Sequence, residues 1–281
     1  MRYFKYHGLG NDYLVIEPKE LGRELTTAEI KLICHRNYGA GSDGILWGPL
    51  PSNKANFALR IFNPDGSEAE KSGNGLRIFS RFLFDQGQVG QKPFAIETRG
   101  GCVNAQVYDN GRLVDIDMGQ VSFNSRQIPL TGDEREVINE NMTIAGKELC
   151  YCAATVGNPH CVIHLDEISS DLAKSLGPQI EVEPRFINRT NVQFMKVLGR
   201  NDIQIEIWER GAGYTLASGS SSSAAAAVAR RLGLCDEQIT VHMPGGDLGI
   251  TVHEDYTIKM SGPVTKVADG MISKEAFSVD L

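Results

Sequence analysis

Two serine–glycine pairs stand where the sequence predicts that a helix begins. Ser72 opens SGNGLRIFSRFLFDQG (72–87), and Ser218 opens SGSSSSAAAAVARRLG (218–233). A serine directly before a helix usually caps it. A helix N-terminus also offers unpaired N–H groups and about half a positive charge, so it suits a carboxylate. Two side chains on opposite faces of that ligand's α-carbon could remove a proton and return it, which is the chemistry of a racemase.

The two serines belong to a longer internal repeat. Four pairs of segments match in the same order along the chain: 8–17 with 155–165, 56–63 with 202–209, 72–87 with 218–233, and 98–108 with 243–253. The second pair alternates apolar and polar residues, as half-buried strands do. One lobe, built mainly from strands with one prominent helix, therefore occurs twice. The run Ala224–Ala227 predicts close helix packing rather than a site.

The repeat predicts an α/β (α+β) protein of two pseudo-twofold-related lobes, each a curved, mainly antiparallel sheet around a central helix. We expect an N-terminal lobe of residues 1–118 with the segment 264–281, and a C-terminal lobe of residues 119–263. The polar segment 119–137 is the predicted crossover. The active-site cleft is expected between the lobes, with Ser72 and Ser218 facing one another.

Composition and charge limit the classes of function that the chain could have. The chain has 281 residues, a formal net charge of −7 and no basic stripe, which argues against nucleic-acid binding. Neither a membrane span nor a signal peptide is predicted, so a cytoplasmic location is expected. The six cysteines show no metal-ligand spacing and are interpreted as buried small hydrophobes. A small-molecule amino-acid substrate is the expected partner, and a homodimer is compatible with the sequence.

Five stretches together resemble the diaminopimelate epimerase family of cofactor-independent amino-acid epimerases. They are GLGNDYLVIE (8–17), NPDGSEAEKSGNGLR (63–77), GNPH (157–160), RTNVQF (189–194) and ERGAGYTLASGSSSSAAAA (209–227). The resemblance covers almost the whole chain. It implies interconversion of L,L- and meso-diaminopimelate, or of a related amino acid, without a cofactor or a metal.

The same resemblance assigns residues to roles. Ser72 and Ser218 fall where the family has its two catalytic cysteines, and His160 and Glu209 match the polar partners beside them. Gly44 falls where many members carry Gln. The substrate-binding positions comprise Asn11 and the backbone of Gly73, Asn74, Gly219 and Ser220 for the reacting amino acid, and Asn63, Asn158, Asn191, Glu209 and Arg210 for the far end.

A hydroxyl changes the chemistry at both catalytic positions. A free thiol has a pKa of about 8.5, which a helix N-terminus lowers, whereas an alcohol is a much weaker acid. The serines would therefore act as bases only with help from a neighbour such as His160 or Glu209. Three alternatives stay open: a lyase or isomerase acting on a hydroxy amino acid, a non-catalytic amino-acid-binding paralogue, and an engineered Cys-to-Ser variant.

Overall fold

The computed structural model describes residues 1–278 and divides the chain into two compact units. Unit 1 contains Met1–Ile116 and the C-terminal segment from Gly262, and unit 2 contains Asp117–Ser261. Among the described residues, no helix is long and apolar enough to cross a membrane.

Within residues 1–278 the fold contains eighteen strands and four α-helices. The strands are β1 (Arg2–Gly8), β2 (Asn11–Ile16), β3 (Ile45–Leu50), β4 (Phe57–Phe62), β5 (Glu68–Ala69), β6 (Phe94–Thr98), β7 (Gly101–Tyr108), β8 (Leu113–Gln120), β9 (Glu140–Ile144), β10 (Lys147–Thr155), β11 (Pro159–His164), β12 (Asn191–Gly199), β13 (Asp202–Glu209), β14 (Gly213–Thr215), β15 (Gln238–Met243), β16 (Gly246–Val252), β17 (Thr257–Pro263) and β18 (Thr265–Met271). The helices are α1 (Thr27–Cys34), α2 (Gly73–Asp85), α3 (Ser170–Glu181) and α4 (Gly219–Arg231).

Unit 1 is a mainly antiparallel sheet. The hairpin of β1 and β2 is extended on one side by β18, and on the other side β2 pairs with β3 in parallel. The sheet continues through β3–β4, the parallel pair β4–β6, and the hairpins β6–β7 and β7–β8. Helix α2 contacts β1, β2 and β7.

Unit 2 repeats this connectivity strand for strand. Its hairpin of β10 and β11 is extended by β9, and β11 pairs with β12 in parallel. The β12–β13 pair, the parallel β13–β15 pair and the hairpins β15–β16 and β16–β17 follow. Helix α4 contacts β10, β11, β12, β13, β15 and β16, so this sheet curves around it. The predicted α+β fold of two similar lobes is confirmed.

Two details add to the expectation. Each unit has a second helix, α1 or α3, which packs its apolar side into a core cluster with the neighbouring strands. Gly177 and Pro178 lie within α3 and weaken its helical signal, since both residue types disfavour helix interiors. The predicted crossover is packed into unit 2. Its Phe123 and Ile128 are buried, and its backbone bonds to Thr155 within unit 2.

The two prominent helices fill their sheets differently. In α2 the buried side chains include Phe79 and Phe82, whereas in α4 Ala224–Ala227 are all fully buried. Because an alanine side chain is so small, the strands around α4 lie close to its backbone. The predicted close packing of this run is confirmed.

We therefore expect Ala225→Leu to destabilise the protein by about 1–3 kcal/mol, since extra methylene groups have no space in a closely packed core. The measurement is urea unfolding followed by circular dichroism. Ala28→Leu is the matched control, because Ala28 is an exposed residue of α1. Equal midpoints for the two variants would show that α4 is packed more loosely than described.

Candidate functional site

Ser72 caps α2. Its backbone is extended, with φ −139° and ψ 118°, and its Oγ accepts a hydrogen bond from the N–H of Gly75 at 3.0 Å. The N–H groups of Gly73 and Asn74 belong to the first turn, where helices lack intrahelical partners for their donors. The side chain at position 72 and two first-turn N–H groups are thus part of one helix terminus.

A chain of hydrogen bonds holds Asn11 beside this terminus. Asn11 accepts a bond from the Asn74 side chain at 3.0 Å and donates one to Asp43 at 3.0 Å. Asn74 in turn accepts from Arg77 at 2.9 Å, and Arg36 donates to Asp43 at 2.6 Å. Arg77 is fully buried, and burial lowers its pKa to about 10, so it remains a cation at neutral pH. The amide of Asn11 is thereby fixed in one orientation.

Ser218 caps α4 in the same manner. Its φ of −148° and ψ of 124° nearly reproduce those of Ser72, and its Oγ accepts from the N–H of Ser221 at 3.4 Å. Ser218 is 4% exposed. The first turn of α4 contains Gly219 and Ser220, and the Ser220 hydroxyl accepts a bond from Asn158 at 3.3 Å. The two serines therefore match in backbone conformation and capping bond as well as in sequence.

His160 contacts Asn158, whose side chain reaches the first turn of α4. Its Nε2 is 3.0 Å from Asn158 Oδ1. Because Asn158 donates its Nδ2 to Ser220, its Oδ1 is the acceptor, so the imidazole is protonated on Nε2. The ring is fully buried, and this burial lowers its pKa to about 3, against the opposing effect of Gln193. At neutral pH His160 is an uncharged group that orients Asn158.

A second cluster fixes the turn that contains Glu209 and Arg210. Asn191 donates to the carbonyl oxygen of Pro159 at 2.8 Å and accepts from the Arg210 N–H at 3.0 Å. The Arg210 guanidinium donates to the Asn188 carbonyl at 2.9 Å. Glu209 lies at the end of β13, paired with Gly213. The predicted residues Asn191, Glu209 and Arg210 therefore belong to one local structure.

Glu181 supports this turn from the end of α3. Its buried carboxylate accepts from Trp208 Nε1 at 2.7 Å and from the Gly211 N–H at 2.9 Å, and it pairs with Arg189. It thus bonds to the residues on either side of Glu209 and Arg210. Sequence reasoning missed Glu181, because its bonds to Trp208 and Gly211 join positions about thirty residues apart and follow no periodic pattern.

Asn63 occupies a different local setting. Its side chain donates to Ser67 Oγ at 3.0 Å, and its backbone closes the turn between β4 and β5. These bonds are those of a turn former.

The cysteines are only partly as expected. Cys34, Cys152, Cys161 and Cys235 are buried, but Cys102 and Cys150 are exposed because they lie on outward-facing positions of β7 and β10. All six are free. Within residues 1–278 there is no cluster of three or more His, Cys, Asp or Glu side chains that could hold a metal ion.

The buried imidazole predicts a pH-dependent stability. The pKa of His160 is about 3 in the fold and near 6.5 when unfolded, so the unfolded chain binds more protons between these values. Stability should therefore fall as the pH drops through this window, by up to about 1.4 kcal/mol per pH unit. The measurement is urea unfolding between about pH 7 and pH 4.5.

The control is His164→Gln, since His164 is an exposed residue of the same strand. This variant should retain the pH slope of the parent, whereas His160→Gln should show a shallower one. Parallel slopes for parent and His160→Gln would contradict the burial of an uncharged imidazole.

Solved structures with this fold include racemases and epimerases. A probable proline racemase from Agrobacterium radiobacter K84 superimposes with a TM-score of 0.72 at 14% identity, covering 98% of this chain and 94% of the other. A PhzF-family phenazine biosynthesis protein from Bacillus anthracis gives a TM-score of 0.70 at 17% identity, covering 97% and 99%. At these identities the likeness concerns the fold.

Closer relatives establish the class and the family. Diaminopimelate epimerase 2 of Nostoc sp. (strain PCC 7120) is 63% identical, over all of this chain and 98% of its own length. Diaminopimelate epimerase of Desulfitobacterium hafniense is 38% identical, over 99% of this chain and all of its own length. Fold and relatives define an isomerase of the amino-acid epimerase type. The family model for diaminopimelate epimerase matches residues 3–124 and 152–267, and the chain belongs to that family.

Proposed function

We propose that the chain interconverts L,L- and meso-diaminopimelate, a reaction of lysine biosynthesis, in the cytoplasm and as a homodimer. Full-length similarity to proteins named diaminopimelate epimerase supports the substrate. The observation that supports the mechanism is the repeated helix terminus. Ser72 and Ser218 share one cap geometry, and each helix begins with a turn that suits a carboxylate.

In this mechanism Ser72 and Ser218 occupy the two catalytic positions, which the family resemblance assigns to cysteine. One side chain removes the α-proton, and the other delivers a proton to the opposite face. The electron pair left on the α-carbon delocalises into the carboxylate, whose growing charge the N–H groups of Gly73, Asn74 and Gly219 stabilise. Asn11 orients the same amino-acid end, since its amide is fixed by Asn74 and Asp43.

The hydroxyls limit the rate. The side chain that acts as base must lose its proton, and an alcohol does so far less readily than a thiol. His160 is a weak candidate for the helping base, because its pKa is near 3 and its Nε2–H is given to Asn158. We propose that His160 instead orients Asn158 and Ser220, and that Glu209 assists proton transfer. Slow turnover is the consequence.

Deuterium wash-in tests this function. Parent protein incubated with L,L- or meso-diaminopimelate in deuterated water should exchange the α-proton slowly, as followed by NMR. Ser72→Cys/Ser218→Cys should exchange faster than the parent and than either single variant, because thiolate is available near neutral pH. The gain should be non-additive, since the two groups act as a unit.

Ser80→Cys is the control, because Ser80 is buried in the same helix but bonds to the Leu76 carbonyl within it. Substrate binding without exchange in parent and double variant alike would favour the amino-acid-binding alternative. Exchange only with a hydroxy amino acid would favour the lyase alternative.

Arg210 is proposed to bind the far carboxylate of the substrate. Its guanidinium can form two parallel bonds to a carboxylate, which an ammonium group cannot. Arg210→Lys should therefore weaken binding of meso-diaminopimelate by about tenfold or more, in line with the strength of a charge-assisted hydrogen bond. Isothermal titration calorimetry measures this.

The matched control is Arg189→Lys, a neighbouring arginine that pairs with Glu181 and is half exposed. A substrate analogue lacking the far carboxylate should bind parent and Arg210→Lys equally. If Arg210→Lys lost the same affinity for that analogue, the proposed contact would be wrong.

A further inference from the structure

The hydroxyl of Tyr13 contacts the side chain at the catalytic position of unit 1. Tyr13 Oη is 3.2 Å from Ser72 Oγ. Tyr13 is a residue of β2 and is 7% exposed, so its ring is held by the surrounding structure. The mechanism described above does not use this residue.

Gly44 makes room for the ring. A Cβ at position 44 would lie 2.7 Å from Tyr13 Cε1 and 2.5 Å from the carbonyl oxygen of Phe62, both closer than a real Cβ approaches. A side chain at position 44 and the present position of Tyr13 therefore exclude one another. According to the family resemblance, many members carry Gln at this position. In this chain the position is Gly44, and the Tyr13 phenol occupies the adjoining space.

The hydrogen bonds of Ser72 define what Tyr13 can do. Ser72 Oγ already accepts from the Gly75 N–H at 3.0 Å. If Tyr13 donates the second bond, both donors point at the oxygen that carries negative charge when Ser72 is deprotonated. Hydrogen bonds to a charged oxygen are stronger than those to a neutral one. The bond would therefore favour loss of the proton from the side chain at position 72. Because a phenol is a stronger acid than a serine alcohol, Tyr13 would share its proton with Ser72 Oγ as that oxygen becomes negative.

We propose that Tyr13 is a positioning residue of the proposed epimerase, and that its O–H holds and stabilises the reacting oxygen of Ser72. The inference rests on the proposed function, because that function makes Ser72 a reacting group. Tyr13 and Gly44 act as a pair in this role, the glycine admitting the ring and the phenol supplying the contact.

The first test does not depend on turnover. Ser72→Cys introduces a thiol at the position, and its alkylation by iodoacetamide is followed against pH, with the modified peptide quantified by mass spectrometry. Adding Tyr13→Phe removes the donor and should raise the midpoint by about one pH unit. Adding Tyr38→Phe, at a tyrosine 58% exposed in the same unit, should leave the midpoint unchanged. An unchanged midpoint with Tyr13→Phe would overturn the proposal.

The second test uses the reaction. In the Ser72 background, Tyr13→Phe should lower kcat for α-deuterium wash-in by about tenfold or more and leave KM nearly unchanged, because the lost bond is made to the catalytic group and not to the substrate. A raised KM with unchanged kcat would contradict the assigned role. If the parent shows no exchange with any diaminopimelate isomer, the proposed function fails, and the thiol midpoint alone decides the role of Tyr13.

Discussion

A helix that begins at a serine must satisfy its first N–H groups, and this requirement organises both halves of the molecule. In each half the serine oxygen accepts the N–H three residues on, which fixes the side chain close to the helix axis. The remaining first-turn donors point the same way and favour negative charge. The direction of these donors therefore depends on where each helix starts, and the surrounding sheet determines that position.

The hydrogen-bond networks around the two helix starts differ in charge. Around α2 the bonds lead from Asn11 to charged groups, namely Arg77, Asp43 and Arg36. Around α4 they lead through Asn158 to a neutral, buried imidazole. An epimerase needs one basic and one acidic group at any moment. Different surroundings are the ordinary way in which proteins give two chemically similar groups different pKa values.

The repeat, the helix starts and the alternating strands could be predicted from the sequence, because each follows from a local pattern. The Ser-Gly pairs mark the helix starts, and alternating apolar and polar residues mark β4 and β13. Sequence reasoning could not identify Asp43, Arg77 or Glu181 as supporting groups. Their bonds depend on which residues the sheet registers and helix ends bring together, and an ionic group in such a network has no periodic signature. Helix α3 is likewise hard to predict from the sequence, since its interior Pro178 is of a type that usually marks a helix boundary.

The alanine-rich interior of α4 has a consequence for the history of the fold. The repeat implies that a half-length ancestor once supplied both halves from one sequence. Today α2 fills its sheet with Phe79 and Phe82, whereas α4 occupies a space sized for methyl groups. An exchange of the two helices would leave one sheet with voids and force the other apart, although both span thirteen residues. The two halves thus retain one topology, but the side-chain volumes of their central helices have diverged. Neither helix could now replace the other.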